Sequence, residues 1–308
     1  MKSRVDALEQ RVVAWCEARR DIRAALVVGS RARDDHPADD WADLDVGIVC
    51  EKPARYLKDL GWLARIGTPL VASMDPSGVT VHVLFEDGAD GGFAFIPLGT
   101  VKTALRLLPI AMRFPGVARA LPGGKAILRS VEEAKEYYRR GSRIIIDKDG
   151  LGARMMALFP ATSVAAEPPS AEEFAGSVRQ FWFAAVWMAK HLRRGELWRT
   201  LGESGEGQLR VLLLRMIEWR TRADRGWDVD VWENGRFIEE WAAPETLAAL
   251  RGVLSHYDEA YAWRSLDAAM DLFARLSQDV ASRLNLPLDT AMSERCRSIV
   301  DEVRAAGT

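Results

Sequence analysis

The chain has 308 residues, 48% of them apolar and 28% charged, enough for two ordinary domains with sizeable cores and too balanced for a disordered protein. A net charge near −2 argues against binding nucleic acid through a broad basic surface, and no apolar run approaches membrane-spanning length. Three scattered cysteines, Cys16, Cys50 and Cys296, suggest neither a disulfide framework nor a thiolate metal site, and the opening residues carry no apolar signal core. A cytoplasmic protein with no nucleic-acid or membrane partner is expected.

In chain order, Val5, Leu8, Val12, Val13 and Trp15–Cys16 recur at helical spacing. "AALVVGS" reads as a short buried strand stopped by Gly29, and "LDVGIVC" as a second strand. "RYLKDLGWLARIG" is helical, and "VTVHVLFEDGADGGFAFIPL" is a hairpin turning at Glu86-Asp87-Gly88. "TVKTALRLLPIAMRF" and "VEEAKEYYRRG" read as helices, and "SRIIIDKDG" as a strand closed by a turn. A Pro-, Ser- and Ala-rich linker follows. It ends at Ser170, an N-cap with Glu173 three residues on.

From Phe174 onward the segments are long, amphipathic and rich in tryptophan, with eight of the eleven after residue 180. The expectation is an α+β chain, with a mixed-sheet domain over residues 1–155 and an all-α domain over 156–308. Trp182 and Trp187 fall on the first long helix, where core packing is the ordinary role and stacking on a ligand the sharper one.

The chemistry concentrates between Val27 and Val49. Asp43 and Asp45 alternate on a strand, so both carboxylates leave one face. Neighbouring carboxylates repel unless a cation lies between them, which is how paired divalent metals are held for displacement at phosphorus. Gly29-Ser30, ending the preceding strand, lets backbone amides and a hydroxyl approach a triphosphate. The loop acids Asp34, Asp35, Asp39 and Asp40 form either a solvated loop or an attractive surface for a polycation. His36, His82, His191 and His256 show no metal-binding spacing and are expected to be surface or packing residues.

The order strand, Gly-Ser, acidic loop, D-x-D strand resembles the signature of DNA polymerase β-like nucleotidyltransferases. "GSRAR…DDWADLDVGIV", "LFEDG…FIPL", "IIIDKDG", "FWFAAVWMAKHLRRGEL", "LLRMIEW" and "GRFIEEW" occur in the order seen in aminoglycoside 6-adenylyltransferases, and this resemblance covers most of the chain. It implies a nucleotidyltransferase-fold domain facing a helical domain across a cleft, Mg²⁺ and ATP as cofactors, and a cationic aminoglycoside such as streptomycin as acceptor. Carried over, Asp43 and Asp45 are metal ligands, Gly29 and Ser30 hold the triphosphate, and Arg31 and Arg236 neutralise phosphate.

The resemblance also exposes a gap. The family supplies a third carboxylate on the strand after the "FEDG" turn, and ungapped alignment puts Gly92 there. Asp90 is the substitute candidate, on the same face but about 6.6 Å along the strand. Gln180 stands where relatives often have an acid, and Trp232-Glu233 replaces a Gly-Lys pair. Two functions therefore stay open. One is an active adenylyltransferase. The other is a scaffold that has lost nucleotidyl transfer and serves binding or another reaction, for example in specialised metabolism.

Overall fold

The computed structural model describes residues 4–33, 36, 38–114, 116, 141–158 and 166–306. The chain divides into two compact units, residues 1–162 and 163–308.

The first unit is built on a six-stranded mixed sheet. Its strands are β1 (Ile22–Val28), β2 (Leu44–Cys50), β3 (Pro69–Met74), β4 (Thr80–Phe85), β5 (Asp90–Pro97) and β6 (Ser142–Asp147), in spatial order β3-β4-β5-β2-β1-β6. Among the described residues only β2 and β5 pair in parallel. Helix α1 (Arg4–Glu17) covers one face, where Leu8, Val12 and Trp15 meet Val27, Val46, Ile48, Phe93 and Phe95. On the opposite face, Leu26, Val28 and Val49 pack against Val101 and Leu105 of α3 (Leu98–Arg113) and Leu151 and Met155 of α4 (Leu151–Leu158). The short α2 (Pro53–Lys58) completes the first layer through Tyr56, stacked on Phe95 at 5.0 Å. Burial on both faces explains why β1 and β2 read as near-continuous apolar runs.

Strand β3 went unread in the sequence. It is an edge strand whose six residues are all exposed, so no buried face imposes an alternating pattern. The segment "RYLKDLGWLARIG" is helical in two pieces, α2 and a 3₁₀ turn over Leu60–Arg65. The helix expected over "VEEAKEYYRRG" lies outside the described residues, apart from its last glycine.

The second unit is helical: α5 (Ala171–Arg193), α6 (Leu197–Leu201), α7 (Gln208–Arg225), α8 (Ile238–Trp241), α9 (Pro244–Val253), α10 (Glu259–Leu284) and α11 (Thr290–Ala305). Ser170 and Glu173 form a complete capping box at the start of α5. Phe181 stacks on Phe273 at 3.7 Å, and Trp182 meets Phe181 edge-on. Trp182 is fully buried, which assigns it to the core, while Trp187 stacks on His191 at 3.7 Å. Among the described residues no helix is long and apolar enough to cross a membrane.

Candidate active site

The sheet register creates the site. Asp45 on β2 pairs with Gly92 on β5, and Gly92 pairs with His82 on β4. Directly paired residues project to the same face, so His82, Gly92 and Asp45 form one row across three strands. Asp90 lies two residues before Gly92 on that face; Asp43 falls one residue ahead of β2 rather than on the strand as expected, yet its charge reaches both Asp45 and Asp90. The starts of the two parallel strands, with Asp43 just ahead of β2, thus bring acids to one patch, on the sheet face that Val28 and Val49 share with α3 and α4.

Gly92 is the low point of the row. A Cβ built there would lie 2.6 Å from Asp45 Oδ1 and 3.4 Å from both Nδ1 and Cε1 of His82. The carboxylate and the imidazole therefore flank the space that a side chain at position 92 would fill. Gly29 closes the other side of Asp45. Its φ is +72°, a left-handed conformation that favours glycine, and a Cβ there would lie 3.3 Å from Asp45 Oδ2.

Electrostatics mark the patch as short of positive charge. Among the described residues, none of Asp43, Asp45 and Asp90 makes an ion pair. Burial pushes the Asp45 carboxyl up to about 6, and the charges of Asp43 and Asp90 add to that while His82 opposes it. Asp90 is also raised, by burial first and Asp43 second. A divalent cation would relieve this repulsion.

The donor set fits such a cation in one particular way. Among the described residues no three acid, histidine or cysteine side chains form a ready-made cage. Mg²⁺ does not require one, because it is commonly held by one or two carboxylates, waters and substrate phosphates. Ser30 fits the phosphate half. Its Oγ is buried and finds no hydrogen-bond partner among the described residues, an arrangement that ordinarily costs stability unless a ligand satisfies it. Ser30 and Arg31 border a polar cavity of about 430 Å³ that Arg33 and Arg143 also line.

The other predicted residues are placed less directly. Arg31 is ion-paired with Asp6 of α1, so its charge is already engaged. Arg236 belongs to the second unit, where its guanidinium lies 5.1 Å from the Phe237 ring centroid. Asp34 and Asp35 fall outside the described residues, while Asp39 and Asp40 are exposed and Asp39 accepts from the Trp41 amide at 2.9 Å. Gln180 lies on α5, and exposed Glu233 opens a tight turn after Trp232, whose φ is +52°.

His82 is exposed, as its reading as a surface residue expected, but spacing along the chain did not show its place opposite Gly92. A usable signal was present: positions 82 and 92 are mirror images about Asp87, the middle of the predicted turn. A symmetric hairpin must therefore place them opposite each other.

A family model described as streptomycin adenylyltransferase matches residues 1–106 and 126–303 of the chain. An aminoglycoside 6-adenylyltransferase of Campylobacter jejuni is 23% identical over 280 residues, covering 89% of this chain and 87% of that protein. One of Bacillus subtilis (strain 168) is 22% identical over 266 residues, covering 85% of each. Among solved structures, an aminoglycoside 6-adenyltransferase from Bacillus subtilis aligns over 99% of both chains at 17% identity, with a TM-score of 0.42.

Proposed function

The chain belongs to the streptomycin adenylyltransferase family, and from that premise we propose that it transfers the adenylyl group of ATP to a hydroxyl of a cationic aminoglycoside such as streptomycin. The observation that carries this reading is the convergence of Asp43, Asp45 and Asp90 beside the Gly29-Ser30 turn, with the Ser30 hydroxyl unpartnered. Asp43 and Asp45 would hold Mg²⁺, which when bound supplies positive charge against the phosphates. The Gly29-Ser30 backbone and the Ser30 hydroxyl would hold the triphosphate, with Arg236 a further candidate for phosphate. The acceptor oxygen forms a bond to the α-phosphorus as the bond to the β-phosphate bridging oxygen breaks. Pyrophosphate leaves with that electron pair, and the hydroxyl proton passes to Asp90, whose raised proton affinity suits it as a base. The exposed acids Asp39 and Asp40 would attract a polycation. The reaction would take place in the cytoplasm, where ATP is supplied.

The test is pyrophosphate release by purified protein given ATP, Mg²⁺ and streptomycin. Release should need all three, and Asp43→Asn or Asp45→Asn should abolish it.

Gly92 favours a second reading, since no side chain occupies the position facing Asp45. In that reading the scaffold binds its ligands without transferring the nucleotide. Tight binding of ATP with no turnover across a panel of aminoglycosides would select it.

A further inference from the structure

The row His82–Gly92–Asp45 has the geometry of a substitution in space. A residue with a side chain at position 92 would place its first carbon 3.4 Å from the His82 ring and 2.6 Å from Asp45 Oδ1. The glycine therefore leaves a notch, and the two polar groups bordering it come from the strands on either side. Glycine inside a strand commonly marks such a close approach. His82 is exposed on the open face of β4, while Val81, Val83 and Phe85 of the same strand are buried on the other. Its ring is thus free to turn into the notch without disturbing the core. No hydrogen bond fixes it among the described residues.

We propose that His82 is the nitrogen donor that completes the cation site begun by Asp43 and Asp45, taking through space the place that Gly92 vacates in the chain. The inference rests on the adenylyltransferase reading for the site's purpose, but not for its geometry. Its consequence is chemical. Carboxylates alone suit Mg²⁺, whereas an imidazole shifts preference toward first-row transition metals such as Co²⁺. The site should therefore select a mixed carboxylate–imidazole metal over Mg²⁺. Among the described residues these three side chains do not yet meet as a cage, so the site forms only when the His82 ring turns into the notch.

Co²⁺ is the probe, added to the full chain with and without a non-hydrolysable ATP analogue. Imidazole proton resonances are followed by NMR, and affinity by calorimetry against Mg²⁺. The chain has four histidines, so His82→Ala identifies the resonance that vanishes. The expected result is a paramagnetic shift of the His82 ring protons and Co²⁺ binding at least tenfold tighter than Mg²⁺. His82→Ala should lose about tenfold in Co²⁺ affinity with little change for Mg²⁺. His82→Asp should narrow the preference for Co²⁺ over Mg²⁺.

Unshifted His82 resonances under Co²⁺ binding that Asp45→Asn abolishes would overturn the proposal. So would the absence of Co²⁺ binding with and without nucleotide. Pyrophosphate assays are read separately. A His82-dependent Co²⁺ site without adenylyl transfer upholds this inference and sinks the functional reading. Transfer with Mg²⁺ that His82→Ala leaves unchanged, with no His82 shift, does the reverse.

Discussion

Replacing Asp45 by asparagine should make the metal-free protein more stable at pH 8, against the usual result of altering a half-buried polar residue. The Asp45 carboxyl is pushed from 3.8 up to about 6, by burial first and then by the charges of Asp43 and Asp90. A proton held more tightly in the folded than in the unfolded chain makes stability fall as pH rises from about 4 to about 6, with no further loss above. Roughly two pKa units at 1.36 kcal/mol each set a ceiling of about 3 kcal/mol. Partial contact with solvent brings the usable figure down to about 1–2 kcal/mol.

Asparagine keeps the shape and removes the charge, so Asp45→Asn should gain that amount at pH 8, less at pH 5, and almost nothing at pH 4. Native-state hydrogen exchange of the β2 and β5 amides reads the sheet unit by itself. Urea unfolding gives the total where the two units melt together. Adding Mg²⁺ and ATP should invert the order, since only the parent gains from binding at its acids. A variant less stable than the parent at pH 8, or a gain that does not shrink on acidification, would refute the claim that Asp45 is held under electrostatic strain.

Ser30→Ala removes a buried hydroxyl with no described partner, so the ligand-free protein should gain about 1 kcal/mol while ATP affinity, measured by calorimetry, falls several-fold. Gly91→Ala should destabilise by about 2 kcal/mol or more in urea unfolding, because its Cβ would lie 2.5 Å from the Leu44 carbonyl oxygen, a backbone atom that cannot yield. Gly92→Ala should cost less, because the group in its way is the rotatable Asp45 carboxylate. Gly92→Asp adds one more acid to the patch. It should lower stability without metal but raise Mg²⁺-dependent pyrophosphate release by roughly 10²-fold if a third carboxylate limits catalysis; unchanged turnover with intact Mg²⁺ binding would show that it does not. In the helical unit, Arg220 bridges Asp224 at 2.6 Å and Asp279 at 2.9 Å, so Arg220→Ala should cost about 2 kcal/mol in thermal or urea unfolding.

What the sequence disclosed and what it hid follow from how far each constraint reaches along the chain. Asp45 could be assigned to its face because alternation on a strand is a two-residue rule, while the strand's start is less sharply written and leaves Asp43 one residue ahead of β2. The capping box at Ser170 and Glu173 is equally local. The edge strand β3 was invisible because nothing buries it, and burial is what writes a pattern into a sequence. Gly92 was legible only as a missing acid. Its meaning depends on Asp45 and His82, which lie 47 and 10 residues away along the chain and converge only through the β4-β5-β2 register.

The turn at Glu86-Asp87-Gly88 held half of that register. Reflection about Asp87 gives the His82–Gly92 pairing, because a hairpin's loop fixes which residues oppose each other. The other half, the parallel pairing of Asp45 with Gly92, has no local signal, since parallel neighbours are joined by long connections that leave the register unspecified. A position that is empty when read along one strand can thus be bordered by a polar side chain from the next. At such a site, the count of donors has to be made across the sheet.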